Sequence, residues 1–76
     1  MKKRQYQPKQ AFKAVGLKVR ALRESRGWTL EACEAHGWLN WRYLQAIESG
    51  QNCTLATVVN LANLFGVHPS KLLEDI

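Results

Sequence analysis

The side chains best suited to recognising another molecule lie between residues 40 and 48. Leu44 and Ile47 are three positions apart, so in a helix both point to one side and would be buried. Arg42 and Gln45 then fall on the outer side of that helix. An arginine can donate two hydrogen bonds to O6 and N7 of guanine, and a glutamine can bond the edge of adenine. These types and this spacing indicate base recognition, with Arg42 as the first candidate.

Two aromatic residues, Trp41 and Tyr43, flank Arg42. An aromatic ring at this position can contact the methyl group of thymine or pack on sugar and phosphate. The alternative for both is packing against neighbouring helices. Both roles stay open for Trp41 and for Tyr43.

No pattern typical of catalysis is visible in the sequence. It shows no nucleophile with a neighbouring base, no glycine-rich phosphate loop and no metal-ligand spacing. Cys33 and Cys53 lack a CxxC spacing, and the two histidines do not complete a set of four ligands. We therefore expect no enzyme, no cofactor and no metal, and we expect both cysteines to be reduced packing residues.

Apolar residues recur at helical spacing in five segments that turn residues separate. Gly27 and Gly66 are predicted to end helices, and Thr29, Asn40 and Thr54 to begin them. With no strand pattern in the sequence, we predict an all-α fold, a compact five-helix bundle around one core. The predicted organisation is a flexible basic arm over residues 1–8 and a single domain over residues 9–76, with helices at about 9–26, 29–36, 40–48, 54–65 and 69–75.

Positive charge is concentrated at the start of the chain. Residues 1–26 hold nine of the eleven basic residues and one acid, whereas residues 27–76 hold two basic and five acidic residues. This asymmetry favours phosphate contacts from the arm and the first helix, the alternative being a solvated basic helix. No run approaches the roughly 18 apolar residues that span a bilayer, and no signal core follows the basic start. We expect a cytoplasmic protein.

The second and third predicted helices are short and are joined by about three residues. Such a pair can place its second helix in the major groove of DNA, which is about 12 Å wide, while the first helix braces it on the phosphate backbone. This arrangement directs the exposed side of residues 40–48 toward base edges.

Several stretches match one family in order and spacing: Val19 to Arg23, Arg26 to Thr29, Tyr43 to Gly50, Asn52, Thr54 to Thr57, Leu61 with Ala62, Phe65 to Val67 and Lys71 to Leu73. From about Gly16 to Leu73 the chain thus resembles the phage repressor and Cro type of helix-turn-helix proteins, which includes many small bacterial regulators. The resemblance implies a lambda-repressor-like fold and sequence-specific binding of double-stranded DNA. It also implies a transcriptional regulator that acts as a homodimer on a palindromic operator.

Carried over by position, the resemblance makes residues 40–48 the recognition helix and implies base-reading roles for Trp41, Arg42, Gln45 and Ala46. Phosphate contacts are expected from Thr29, Asn40, Tyr43, Ser49, Gln51, Asn52 and, in the arm, Lys2, Lys3 and Arg4. A semi-buried ion pair between Arg23 and Glu48 is expected to fix the tilt of the recognition helix. We expect the dimer to form through Leu72, Leu73 and Ile76.

The chain departs from the family pattern at three places. Glu34 stands where relatives usually carry a small alanine, so its carboxylate must either reach solvent or find a partner. Trp38 occupies the usual turn glycine, and Gly37, one position earlier, is expected to take the left-handed conformation instead. Cys53 replaces the usual proline.

Two other functions compete with DNA binding. Trp38, Trp41 and Tyr43 together could form an adhesive patch, in which case the module would bind a protein. A basic peripheral membrane protein needs a strongly amphipathic helix, and only residues 9–26 come close to one.

Overall fold

The computed structural model describes residues 5–75, and within them it is all-helical, with no strand. The helices are α1 (Pro8–Ser25), α2 (Ala32–Ala35), α3 (Trp41–Glu48), α4 (Leu55–Phe65) and α5 (Ser70–Leu73). The predicted all-α fold is confirmed. Lys2, Lys3, Arg4 and Ile76 lie outside the described residues.

The helix boundaries differ from the expected ones by up to three residues, most at α2 and α5. Helix α1 begins at Pro8. Proline is favoured at the first helical position, because the N–H that it lacks would have no partner in the helix there. Helix α2 begins at Ala32 rather than near Thr29, although the Thr29 Oγ1 still accepts from the Ala32 N–H at 3.0 Å. Helix α5 ends at Leu73 because Glu74 is extended.

The core lies where α1 packs on α3 and α5, with α4 closing it. Its fully buried side chains come from all five helices and include Val19, Cys33, Leu44, Ile47, Leu61 and Leu72. The expectation that Leu72 contributes to a dimer surface is therefore wrong. Of two adjacent leucines on one short helix, one faces the core, and the neighbouring Leu73 remains 43% exposed.

Helices α1 and α3 cross closely at Gly16. A Cβ atom at this position would lie 2.8 Å from the carbonyl oxygen of Glu48 and closer still to that of Ile47. Glycine therefore allows the backbone of α1 to lie directly against the last turn of α3.

Candidate nucleic-acid interface

Two side chains hold the first turn of α3. The Asn40 Oδ1 accepts hydrogen bonds from the backbone N–H groups of Arg42 at 2.8 Å and Tyr43 at 3.4 Å. The Glu34 Oε2 accepts from the Trp41 N–H at 2.7 Å. A carboxylate is favourable here because the N-terminal end of a helix carries partial positive charge. Glu34 thus finds its partner on α3 and ties α2 to the start of that helix.

The turn between α2 and α3 accommodates Trp38 in place of the usual glycine. Gly37 adopts a φ of 109°, in the region that favours glycine, as its position predicted. Trp38 is then buried, with 6% of its surface exposed, and its Nε1–H donates to the Asn40 carbonyl at 2.9 Å. The proposal of an exposed patch that includes Trp38 is wrong, because this ring belongs to the core.

The outer side of α3 presents the expected base-reading side chains together. Arg42 and Gln45 are exposed, while Trp41 and Ala46 are half-buried. The Arg42 guanidinium carbon lies 5.4 Å from the centre of the Trp41 ring, within the range of a cation–π contact. On the inner side, Leu44 and Ile47 are completely buried. The helix therefore offers one polar and aromatic side and has its other side fixed in the core.

Tyr43 links α3 to α4. Its ring stacks on Trp38 with 6.0 Å between ring centres, and its hydroxyl oxygen lies 3.1 Å from the Thr57 Oγ1. The Tyr43 ring thus packs on a neighbouring residue, as the alternative role predicted, while 37% of the residue stays exposed. Thr57 was not identified from the sequence. Its position three residues after Thr54 was the available signal, because the Oγ1 of this helix-capping threonine accepts from the Thr57 N–H at 3.2 Å.

A two-point ion pair connects the ends of α1 and α3. The Arg23 Nε donates to the Glu48 Oε2 at 2.6 Å, and a second guanidinium nitrogen donates to Oε1 at 2.9 Å. The third nitrogen donates to the Trp28 carbonyl at 2.9 Å. The side chains are 13% and 8% exposed, and the hydrogen bond to Glu48 raises the pKa of Arg23. The guanidinium therefore joins α1, the α1–α2 loop and α3.

The expected phosphate-contacting residues lie at helix starts and turns. Thr29, Asn40, Ser49, Gln51 and Asn52 are all exposed. Several already have a structural partner: the Thr29 Oγ1 accepts from the Ala32 N–H, Asn40 caps α3, and the Ser49 hydroxyl donates to the Ala46 carbonyl at 2.7 Å. Each donor group that remains free at these positions can still meet a phosphate oxygen.

A stack of rings that sequence reasoning did not identify braces α2 against α4. Trp28 stacks on His36 with 3.8 Å between ring centres and on Phe65 with 5.8 Å. The Arg26 guanidinium lies over both Trp28 and Phe65 and donates to the Phe65 carbonyl. The spacing between these residues is too long for any local pattern to show the contact.

Neither cysteine is part of a reactive or metal-binding cluster in the described chain. Both thiols are free, Cys33 buried and Cys53 half-buried, and burial raises the pKa of each. Residues 5–75 contain no group of three or more histidine, cysteine or acidic side chains that could hold a metal ion. Within the same residues, no helix has the length and apolar character needed to cross a membrane.

Comparison with protein families gives a match that spans this whole arrangement. A family model described as helix-turn-helix matches residues 19–72, from the second half of α1 to α5. Neither the curated proteins nor the solved structures compared with the chain match it.

Proposed function

The chain belongs to the helix-turn-helix family of the phage repressor and Cro type, whose members are DNA-binding regulators, and from this premise we propose that it reads a specific DNA sequence with α3. Arg42 would bond guanine, Gln45 would read adenine, and Trp41 with Ala46 would contact the neighbouring bases. The observation that carries this proposal is the two-sided α3, whose Arg42 and Gln45 are exposed while Leu44 and Ile47 are buried.

Affinity without sequence information would come from phosphate contacts. The exposed groups at Thr29, Asn40 and Tyr43, and the turn from Ser49 to Asn52, supply hydrogen-bond donors. Lys2, Lys3, Arg4 and the basic residues of α1 supply charge. Binding at the nucleoid in the cytoplasm is part of the same proposal.

We also propose a homodimer on a palindromic site. Leu73 is the exposed apolar residue on α5 that supports a contact there, since Leu72 is in the core. Two copies would place their recognition helices about 34 Å apart, one turn of DNA. Sedimentation at micromolar concentration, with and without DNA, tests this part: a monomer in both conditions contradicts it.

Protein binding is less well supported as a rival function, because Trp38 is buried and the Tyr43 ring packs on it. Such a module would show neither steep salt dependence nor base discrimination on DNA. Both properties are measured in the experiment below.

The test is selection of sites from a random DNA pool at physiological salt with wild type, Arg42→Ala and Arg20→Ala. Arg20 is a matched control, since it loses the same charge from an exposed site on α1. We expect a palindromic motif that loses discrimination at one base pair per half-site in Arg42→Ala and is unchanged in Arg20→Ala. A bidentate contact is worth about 1 to 3 kcal/mol at that base pair. If no motif is enriched and all three proteins lose DNA binding equally as salt is added, base reading is contradicted.

A further inference from the structure

A second concave surface lies away from the recognition helix, between α1 and the segment that carries α5. Its α1 wall is formed by Lys18, Ala21 and Leu22, and its opposite wall by Val67, His68 and Lys71. The groove has a volume of about 540 Å³, within the range of small-molecule sites, and no residue of α3 lines it. Aliphatic side chains contribute to both walls, so the groove suits an apolar group.

The wall of this groove contains an uncompensated charge. The Nζ atom of Lys18 is buried and has no hydrogen-bond partner in the described chain. Buried polar atoms nearly always have a partner, and a buried ammonium without one is costly. An unpaired cation at an apolar groove is the kind of feature that a bound anion satisfies.

The other polar groups around the groove already have partners. Glu74, the acid in the wall, lies 3.3 Å from the Lys71 Nζ, and both side chains are at least half exposed. The His68 Nδ1 accepts from the Ser70 N–H at 3.1 Å. One positive charge, that of Lys18, therefore remains without a partner. A singly charged anion balances it, whereas a doubly charged phosphate would place excess negative charge near Glu74.

We propose that this groove binds a small amphipathic carboxylic acid, with the carboxylate paired to Lys18 and the hydrocarbon chain lying along Ala21, Leu22 and Val67. The flexible four-carbon stem of lysine lets the ammonium turn into the groove to meet the carboxylate. The ligand would bridge α1 and the start of α5. The inference goes beyond DNA recognition and does not rest on it.

Sodium octanoate is the probe, and backbone amide chemical shifts in NMR of the full chain are the measurement. Octylammonium has the same chain with the opposite charge, and acetate has the charge without the chain. We expect octanoate to saturate, with shifts concentrated at residues 18–25 and 67–74. Octylammonium and acetate should bind at least about tenfold more weakly, because each lacks one half of the recognition.

Two lysine variants separate the buried charge from general attraction. Lys18→Met should weaken octanoate binding about tenfold or more and remove the preference over octylammonium. Lys9→Met, which loses an exposed charge from α1 outside the groove, should bind octanoate within about twofold of wild type. Lys18→Gln serves as a second variant should Lys18→Met fail to fold.

Three results would overturn the proposal. These are unsaturable shifts with octanoate, equal binding of octylammonium, and unchanged octanoate affinity in the Lys18 variants. Shifts at residues 18–25 that depend on protein concentration, with no response to octanoate, would assign the groove to a second copy of the chain instead. Because no DNA is present, failure here leaves the base-reading proposal untouched, and failure of site selection leaves the groove untouched.

Discussion

Replacing Glu48 with alanine would leave the largely buried Arg23 guanidinium with the Trp28 carbonyl as its remaining acceptor. Removing one partner of a buried ion pair costs about 3 to 5 kcal/mol. We expect the lower end, about 3 kcal/mol, because 13% of the Arg23 side chain is exposed and one hydrogen bond survives. For a domain of this size each kcal/mol shifts the melting temperature by about 4 to 8 °C.

The assay is thermal and denaturant unfolding of wild type, Glu48→Ala and Glu24→Ala. Glu24 is the matched control because it pairs with Arg20 at 3.4 Å with both side chains more than half exposed. We expect Glu48→Ala to melt at least about 12 °C lower, and Glu24→Ala to stay within about 0.5 kcal/mol of wild type.

A double variant separates the ion pair from simple loss of packing. Arg23→Met with Glu48→Leu replaces both charges by apolar groups of similar size, and it should recover most of the lost stability. If Glu48→Ala unfolds like Glu24→Ala, the pair contributes no more than a surface contact. The reasoning that it anchors α3 would then be refuted.

Two further predictions concern the core. Gly16→Ala should lower stability by about 1 to 3 kcal/mol in thermal unfolding, because the added Cβ would meet the Ile47 and Glu48 carbonyls. The control Leu17→Ala changes an exposed residue and should have little effect. Equal effects of the two substitutions would contradict the close crossing of α1 and α3. Burial raises the Cys33 pKa, so its stabilising contribution is full below the ordinary thiol pKa of about 8.5 and falls as pH rises. Wild type should therefore lose more stability between pH 7 and 9.5 than Cys33→Ala, and equal losses would refute this.

Features set by a few neighbouring residues could be predicted from the sequence. Asn40 and Thr54 cap their helices, and Gly66 ends α4 with a φ of 67°. Capping depends on a side chain reaching the backbone two or three residues away, so the local sequence is sufficient. The same holds for Gly37, whose freedom at positive φ is intrinsic to the residue.

Features that depend on distant parts of the chain could not be predicted. Leu72 and Leu73 look alike in sequence, and packing on α1 and α4 decides which of them is buried. The contact of Tyr43 with Thr57 and the stack of Trp28 on Phe65 bridge 14 and 37 positions, beyond any helical period. The unpartnered Lys18 ammonium is likewise visible only once the opposite wall of the groove is in place.

Two of the three departures from the family pattern contact the start of α3. Glu34, where relatives usually carry alanine, binds the Trp41 N–H, and Trp38, where they usually carry glycine, binds the Asn40 carbonyl. The first hydrogen bond ends at the first residue of α3 and the second at its N-cap, while the Arg23–Glu48 pair holds its last turn. Because side chains from other parts of the chain hold both ends, we expect the tilt of α3, which carries the exposed Arg42, to be fixed in the free protein. Glu34 and Trp38 therefore contribute to the position of α3 through these hydrogen bonds.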